Sequence, residues 1–370
     1  MAGPMNHVVF AEEDNLFRLM EIALLRKLTP QGEKTLRYFF GDDFSAPLER
    51  LTSMADRLGL PPMNSIVCAS EDELDAALPA ADFVVVESST LDARRVRACG
   101  AKTKLIQQFG RSYGNIDTAA ARECGVPVAN LTRLSSLSCT DHITALILAL
   151  ARNLVPAHAA VVARRDPSKP ASFAKDPPRN KFNWAGIRDF RVLPHSTIGL
   201  IGLGENSGFV AKRMRDIGMR VLYFKRTPLS AEEESRYGGI AYAPLDELLA
   251  RSDFVSLHIP YGPSTEKFAG REFFAKMKRG AYLINTARGG ILDEVALYEA
   301  LKSGHVAGAA LDVYRYEPVP PDAPLLDLDN IIWSPHIAGG EPEYMIAEAE
   351  AVLSNISLAL QGRTADGLVA

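Results

Sequence analysis

The chain has 370 residues, enough for two domains with full cores, and 41 Lys and Arg against 45 Asp and Glu give a formal net charge of −4. Both signs are interspersed, so neither nucleic acid nor an anionic membrane surface is an expected partner. The four cysteines, Cys68, Cys99, Cys124 and Cys139, form no C-x-x-C pair and no His/Cys spacing of a metal site. Reduced structural thiols in a cytoplasmic protein, without a bound metal, are therefore expected.

No stretch approaches the roughly 18 continuous apolar residues that cross a bilayer. Glu12, Glu13 and Asp14 follow the first short apolar run too closely for a secretory signal. Apolar runs at 7–10, 83–86, 104–106 and 126–128 read as strands of a first α/β unit. Helical spacing covers 16–27 and 47–58, partly within an insertion whose purpose no motif reveals. Residues 135–154 carry apolar side chains at helical spacing and are expected to link two domains. His142 lies in that helix, where a packing role at the hinge is favoured over a catalytic one. Pro156, Pro167, Pro170, Pro177 and Pro178 then break the pattern, and an irregular arm is expected within 155–195.

The second unit opens on Ser196-Thr197-Ile198-Gly199-Leu200-Ile201, a short apolar run that reads as a buried strand. It leads into Gly202-Leu203-Gly204-Glu205-Asn206-Ser207-Gly208 and then a helix-period segment. A dinucleotide fingerprint needs this order, because the pyrophosphate rests on backbone N–H groups at a helix N-terminus. Gly202 and Gly204 fill the first two positions. Ser207 fills the third, where a small side chain still permits close helix–strand packing. NAD-binding folds usually place an acid after the next strand to hold the ribose 2′-OH. Here that strand ends in Lys225-Arg226-Thr227, two cations and a hydroxyl that suit a 2′-phosphate. NADP is the expected cofactor, and NAD stays open if the basic turn is only solvated surface.

Strand-like runs follow at 254–257, 281–284, 307–311 and 331–333. His258, Asn285, Asp312 and His336 fall at or just beyond their carboxyl ends, where such sheets bind ligands. Arg288, Glu317 and His336 stand 29 and then 19 residues apart. Arg offers a planar, permanently charged fork for a carboxylate. His moves a proton near neutral pH when a carboxylate orients it. That set suits interconversion of a carbonyl and an alcohol beside a carboxylate.

From about residue 82 to 347 the chain resembles the D-isomer-specific 2-hydroxyacid dehydrogenase family, which includes glyoxylate and hydroxypyruvate reductases. The phrases that carry the resemblance are Gln107-Gln108-Phe109-Gly110, Asn115-Ile116-Asp117, Gly125-Val126-Pro127, the glycine turn, Leu257-His258-Ile259-Pro260, Asn285-Thr286-Ala287-Arg288-Gly289-Gly290, Asp312-Val313 and Pro335-His336-Ile337-Ala338-Gly339. The resemblance implies that Arg288 binds and polarises a 2-keto acid, that His336 is the acid–base catalyst, and that Glu317 orients it. It implies cofactor contacts at Glu205, Asn206, Lys225, His258, Pro260, Thr265, Thr286, Ala287, Asp312 and Gly339. The family usually offers a Val-Gly pair to the substrate carboxylate, and Arg111-Ser112 stands there in this chain. A homodimer with the arm at its interface is a further implication.

The expected fold is therefore α/β, two Rossmann-like parallel-sheet domains with the active site in the cleft between them. Residues 1–135 with 343–370 form a flavodoxin-like substrate domain, and 136–342 form the dinucleotide domain. Other readings are a phosphite-type oxidoreductase of a small anion, or a nucleotide-sensing corepressor-like scaffold. Formate enzymes of the family carry Gln where Glu317 stands, which disfavours that branch. Only 34 residues follow His336, so a phosphoglycerate dehydrogenase with a further regulatory domain is not expected.

Overall fold

The computed structural model describes residues 5–100, 102–163, 183 and 185–370. The fold is α/β with two parallel sheets, as expected. The chain divides into two compact units, 1–136 with 340–370 and 137–339.

In the first unit, β1 (Asn6–Phe10), β2 (Met63–Val67), β3 (Phe83–Val86), β4 (Leu105–Gln108) and β5 (Val128–Ala129) form a sheet of order β2-β1-β3-β4-β5. Its central strands read as unbroken apolar runs because both faces are covered. Val8, Phe10, Phe83 and Val85 point into one core cluster, while Val9, Val84 and Val86 point into the other. The first helix, Asn15–Leu25, starts where Asp14 Oδ1 accepts from Leu16 N at 2.7 Å, and it stops at Arg26, whose φ is +51°.

The stretch without an expected purpose builds two helices, Pro30–Phe40 and Ser45–Arg57. Their Leu36, Leu51, Met54 and Ala55 join the core of Phe17, Leu24, Ile346 and Val352. Burial of each large apolar side chain contributes about 1.5–3 kcal/mol, so the segment is held against the helices Asn15–Leu25 and Pro342–Leu360. The C-terminal helix Pro342–Leu360 is tied into the same unit, where Asn355 Nδ2 donates to Gln107 Oε1 at 2.7 Å.

In the second unit, β6 (Thr197–Ile201), β7 (Arg220–Phe224), β8 (Ala241–Tyr242), β9 (Phe254–Leu257), β10 (Ala281–Asn285), β11 (Val306–Leu311) and β12 (Ile331–Trp333) take the order β12-β11-β10-β9-β6-β7-β8. All their pairings are parallel. Strand order reverses at β6 and β9, the switch point at which doubly wound sheets bind ligands. Gly199 lies in β6 because a Cβ there would stand 2.3 Å from Leu248 and 2.4 Å from Ser252 of the covering segment.

The linking helix runs Leu134–Ala151 and a second helix follows at Leu154–Val162. By length and composition Leu134–Ala151 could span a membrane, against the expectation that no stretch qualifies. Its Ile143, Leu146, Ile147, Leu150 and Ala151 are buried in the second unit's core, while Leu134, Leu137 and Leu148 of the same helix are exposed. Of the arm expected within 155–195, residues 164–182 and 184 lie outside the described residues, and the part up to Val162 is helical rather than irregular.

Candidate active site

The glycine turn is shaped by close contacts at the switch point. Gly202 has φ +94°, and a Cβ on it would meet the His258 carbonyl oxygen at 2.7 Å. Only glycine lets β6 end this close to β9. The helix Glu205–Asp216 follows, with Gly204 as its N-cap. Ser207, expected to permit helix–strand packing, instead caps this helix. Its buried Oγ accepts from Gly204 N at 2.8 Å. The tight packing falls on Gly208, where a Cβ would stand 2.7 Å from the Tyr237 ring. Asn206 Oδ1 is buried beside this turn with no hydrogen-bond partner among the described residues. An orphaned polar atom and a cradle that a Cβ would fill both fit a bound dinucleotide.

Beyond β7, Lys225 is half-buried and Arg226 and Thr227 are exposed. Neither cation forms an ion pair among the described residues. The loop behind them is pinned by Tyr223, whose hydroxyl donates to Glu234 Oε1 and accepts from Leu229 N, both at 2.8 Å. Thr265 ties its own loop, donating to the Pro260 carbonyl at 2.7 Å and accepting from Gly262 N at 2.9 Å.

His258 follows β9, with Nε2 2.9 Å from Ser256 Oγ. Burial pushes its pKa down from 6.5 to about 4. The ring is therefore expected to stay neutral between about pH 5 and 8. In NMR titration of the ring protons its shifts should stay flat over that range, and a midpoint near the ordinary value would contradict the burial.

The acid–base pair is formed. His336 Nδ1 lies 2.6 Å from Glu317 Oε2, and Glu317 Oε1 accepts from Tyr314 N at 3.0 Å. His336 has φ +55°, a left-handed backbone uncommon outside glycine. Asp312 holds the chain there. Fully buried after β11, it accepts from Ser334 Oγ at 2.6 Å, Ile337 N at 3.0 Å and Ala338 N at 2.9 Å. Burial raises the Asp312 carboxyl, but hydrogen bonds from His142, Ser334 and the two amides outweigh it and hold the group below the usual range.

Arg288 follows β10 and is exposed, its Nη1 donating to the Ala287 carbonyl at 2.6 Å. Buried Asn285 shapes this loop, its Oδ1 accepting from Ala287 N and its Nδ2 donating to the Arg288 carbonyl, both at 3.1 Å. Gly289 then abuts the loop that carries Glu317, since a Cβ there would stand 1.8 Å from the Tyr314 carbonyl carbon. Thus the Arg288 loop and the Glu317–His336 loops pack as one layer on the carboxyl edge of the sheet. Thr286, Ala287 and Gly339 belong to the same edge. Arg111 and Ser112 lie in the first unit, exposed after β4, where Asn130 Nδ2 donates to the Arg111 carbonyl at 2.8 Å.

Tyr314 and Ser334 stand out only in three dimensions. Tyr314 stacks on Trp333, and its hydroxyl lies 2.6 Å from the Ser334 carbonyl oxygen, to which it can donate. A hydroxyl-bearing residue just before Pro335-His336 is the one trace of this in the sequence.

A doubly wound parallel sheet with a nucleotide turn at its switch point and a His–Glu pair at its carboxyl edge defines a dinucleotide-dependent oxidoreductase. The family described as D-isomer specific 2-hydroxyacid dehydrogenase, NAD binding domain, matches residues 144–338. A glyoxylate reductase of Korarchaeum cryptofilum is 34% identical over 84% of this chain and 86% of its own. A D-3-phosphoglycerate dehydrogenase of Methanocaldococcus jannaschii is 36% identical over 81% of this chain, which spans only 54% of that protein. A crystal structure of a Thermus thermophilus protein is 29% identical, with 98% of this chain and 100% of that one covered, at a TM-score of 0.53. The chain belongs to the D-isomer specific 2-hydroxyacid dehydrogenases, oxidoreductases that act on CH–OH groups with a nicotinamide cofactor.

Proposed function

We propose that this chain reversibly reduces a small 2-keto acid to the D-2-hydroxy acid, with NADPH preferred over NADH. The observation that carries this reading is the 2.6 Å contact of His336 with Glu317, in the loop layer that also holds Arg288. The similarity to a glyoxylate reductase supports a short keto acid. The nicotinamide cofactor supplies or accepts the hydride when bound, held by Gly202, Gly204, Asn206, Lys225 and Arg226.

The residues of the chain do the rest. Glu317 engages Nδ1 of His336, which leaves Nε2 to give a proton to the carbonyl oxygen, or to take it back in the oxidative direction. Arg288 swings from the Ala287 carbonyl to grip the substrate carboxylate with its fork. Exposed Leu154, Val155, Val161 and Val162 on one helix support a homodimer, and the thiol usage supports a cytoplasmic enzyme.

Cofactor choice is tested at Lys225. One charge-assisted contact to a 2′-phosphate, at the low end of its range, gives about tenfold preference for NADPH. Lys225→Asp removes the cation, adds an acceptor for a 2′-OH and repels the phosphate, so the preference should reverse. The readout is kcat/KM for both cofactors with one good keto acid. Wild-type preference for NADH would make the basic turn mere solvated surface.

A further inference from the structure

We propose that His142 is a positioning residue of the acid–base site, which rests on His336 being the acid–base group. His142 lies on the Leu134–Ala151 helix, and its Nε2 is 2.9 Å from Ser334 Oγ. Ser334 is buried and donates its only hydroxyl proton to Asp312 Oδ1 at 2.6 Å. Its oxygen therefore accepts, and His142 must carry the hydrogen on Nε2. The same Nε2 stands 3.5 Å from Asp312 Oδ1.

Asp312 passes the constraint on. Its carboxylate takes the amides of Ile337 and Ala338, the two residues that follow His336. A non-glycine residue at φ +55° persists only where its surroundings over-determine it. The determinants here run from His142 through Ser334 and Asp312 to the backbone of His336. A histidine that merely filled space on its helix would not need an N–H at this point. Every hydrogen bond in the relay involves a buried or half-buried group, so a missing donor leaves an acceptor unsatisfied rather than handing it to water.

The test compares His142→Leu with His142→Gln in the full chain. Leucine keeps apolar bulk and loses the donor, whereas the glutamine amide nitrogen reaches about as far as Nε2. In His142→Leu, kcat should fall about 10- to 100-fold, as for a site loosened by about 1 Å, with KM for the keto acid within about threefold. Amide hydrogen exchange over residues 334–339, read by mass spectrometry, should accelerate. His142→Gln should restore both. Ser334→Ala, which removes the relay atom, should reproduce both changes, and the Leu/Ala double variant should lose less than the sum of the two. Wild-type kcat and exchange in His142→Leu would overturn the proposal, as would a folded His142→Gln no better than leucine. The exchange readout needs no turnover. If the wild-type chain reduces no keto acid, the functional reading fails while exchange still decides the tether.

Discussion

Replacing His336 with alanine is expected to lower kcat by about 10²- to 10⁴-fold, the range a positioned general acid supplies, while NADPH affinity stays within about twofold. The ring is held through Nδ1 by Glu317, so its other nitrogen is the proton-bearing atom on offer. The residues proposed to hold the cofactor's phosphates, Gly202, Gly204, Asn206, Lys225 and Arg226, lie beyond β6 and β7, away from the loop that carries the imidazole. Because His336 sits at φ +55°, His336→Asn is the better-matched control, since Asn tolerates that backbone more readily. It should lose turnover to the same degree. Glu317→Gln should cost less, because the ring remains but its orienting partner is no longer an anion. Turnover by His336→Asn within tenfold of wild type would remove His336 from the chemistry.

Arg288→Ala should lose most turnover and also raise KM, because the proposed role of the guanidinium is both to bind and to polarise the substrate. A loss of about 10²-fold or more in kcat/KM corresponds to one bidentate charged contact left unmade inside the site. Arg288→Lys should recover little, since a point charge on a flexible stem does not replace a planar fork. Its loop is set by Asn285 and by the contact of Gly289 with the Tyr314 backbone, neither of which changes in the variant. Near-normal kcat/KM in Arg288→Lys would assign the carboxylate to another group.

The inner strands of the second sheet are legible in the sequence because they are buried on both faces and therefore read as continuous apolar runs. Its exposed two-residue edge strand β8 is not. Nor is β2, since Met63-Asn64-Ser65-Ile66-Val67 is an edge strand with polar residues and an exposed Ile66. The helix Pro30–Phe40 also escapes a reading by apolar spacing, although it carries start signals in its Thr29 cap and Pro30 at the first position. At the site, the Glu317–His336 contact follows from their phrases, because each stands just past a strand end. The part taken by Ser207 does not, because the ring that forces a glycine at 208 belongs to Tyr237 on a separate helical turn. His142 reads as a packing residue because its partner Ser334 is 192 positions away, beyond the reach of any local pattern. Caps and relays of this kind depend on tertiary neighbours, whereas strand runs and strand-end residues depend on the chain itself.

Hydride transfer to C2 of a keto acid, with D stereochemistry, is tested most directly by isotopic labelling. NADPH deuterated at the transferring position is supplied together with glyoxylate, hydroxypyruvate and pyruvate, and label and configuration in the product are followed by mass spectrometry and chiral chromatography. Deuterium is expected at C2 and, for the chiral products from hydroxypyruvate and pyruvate, the D-hydroxy acid. Absence of label in every product, with the deuterated NADPH unconsumed, or formation of the L-hydroxy acid, would contradict the proposed reaction.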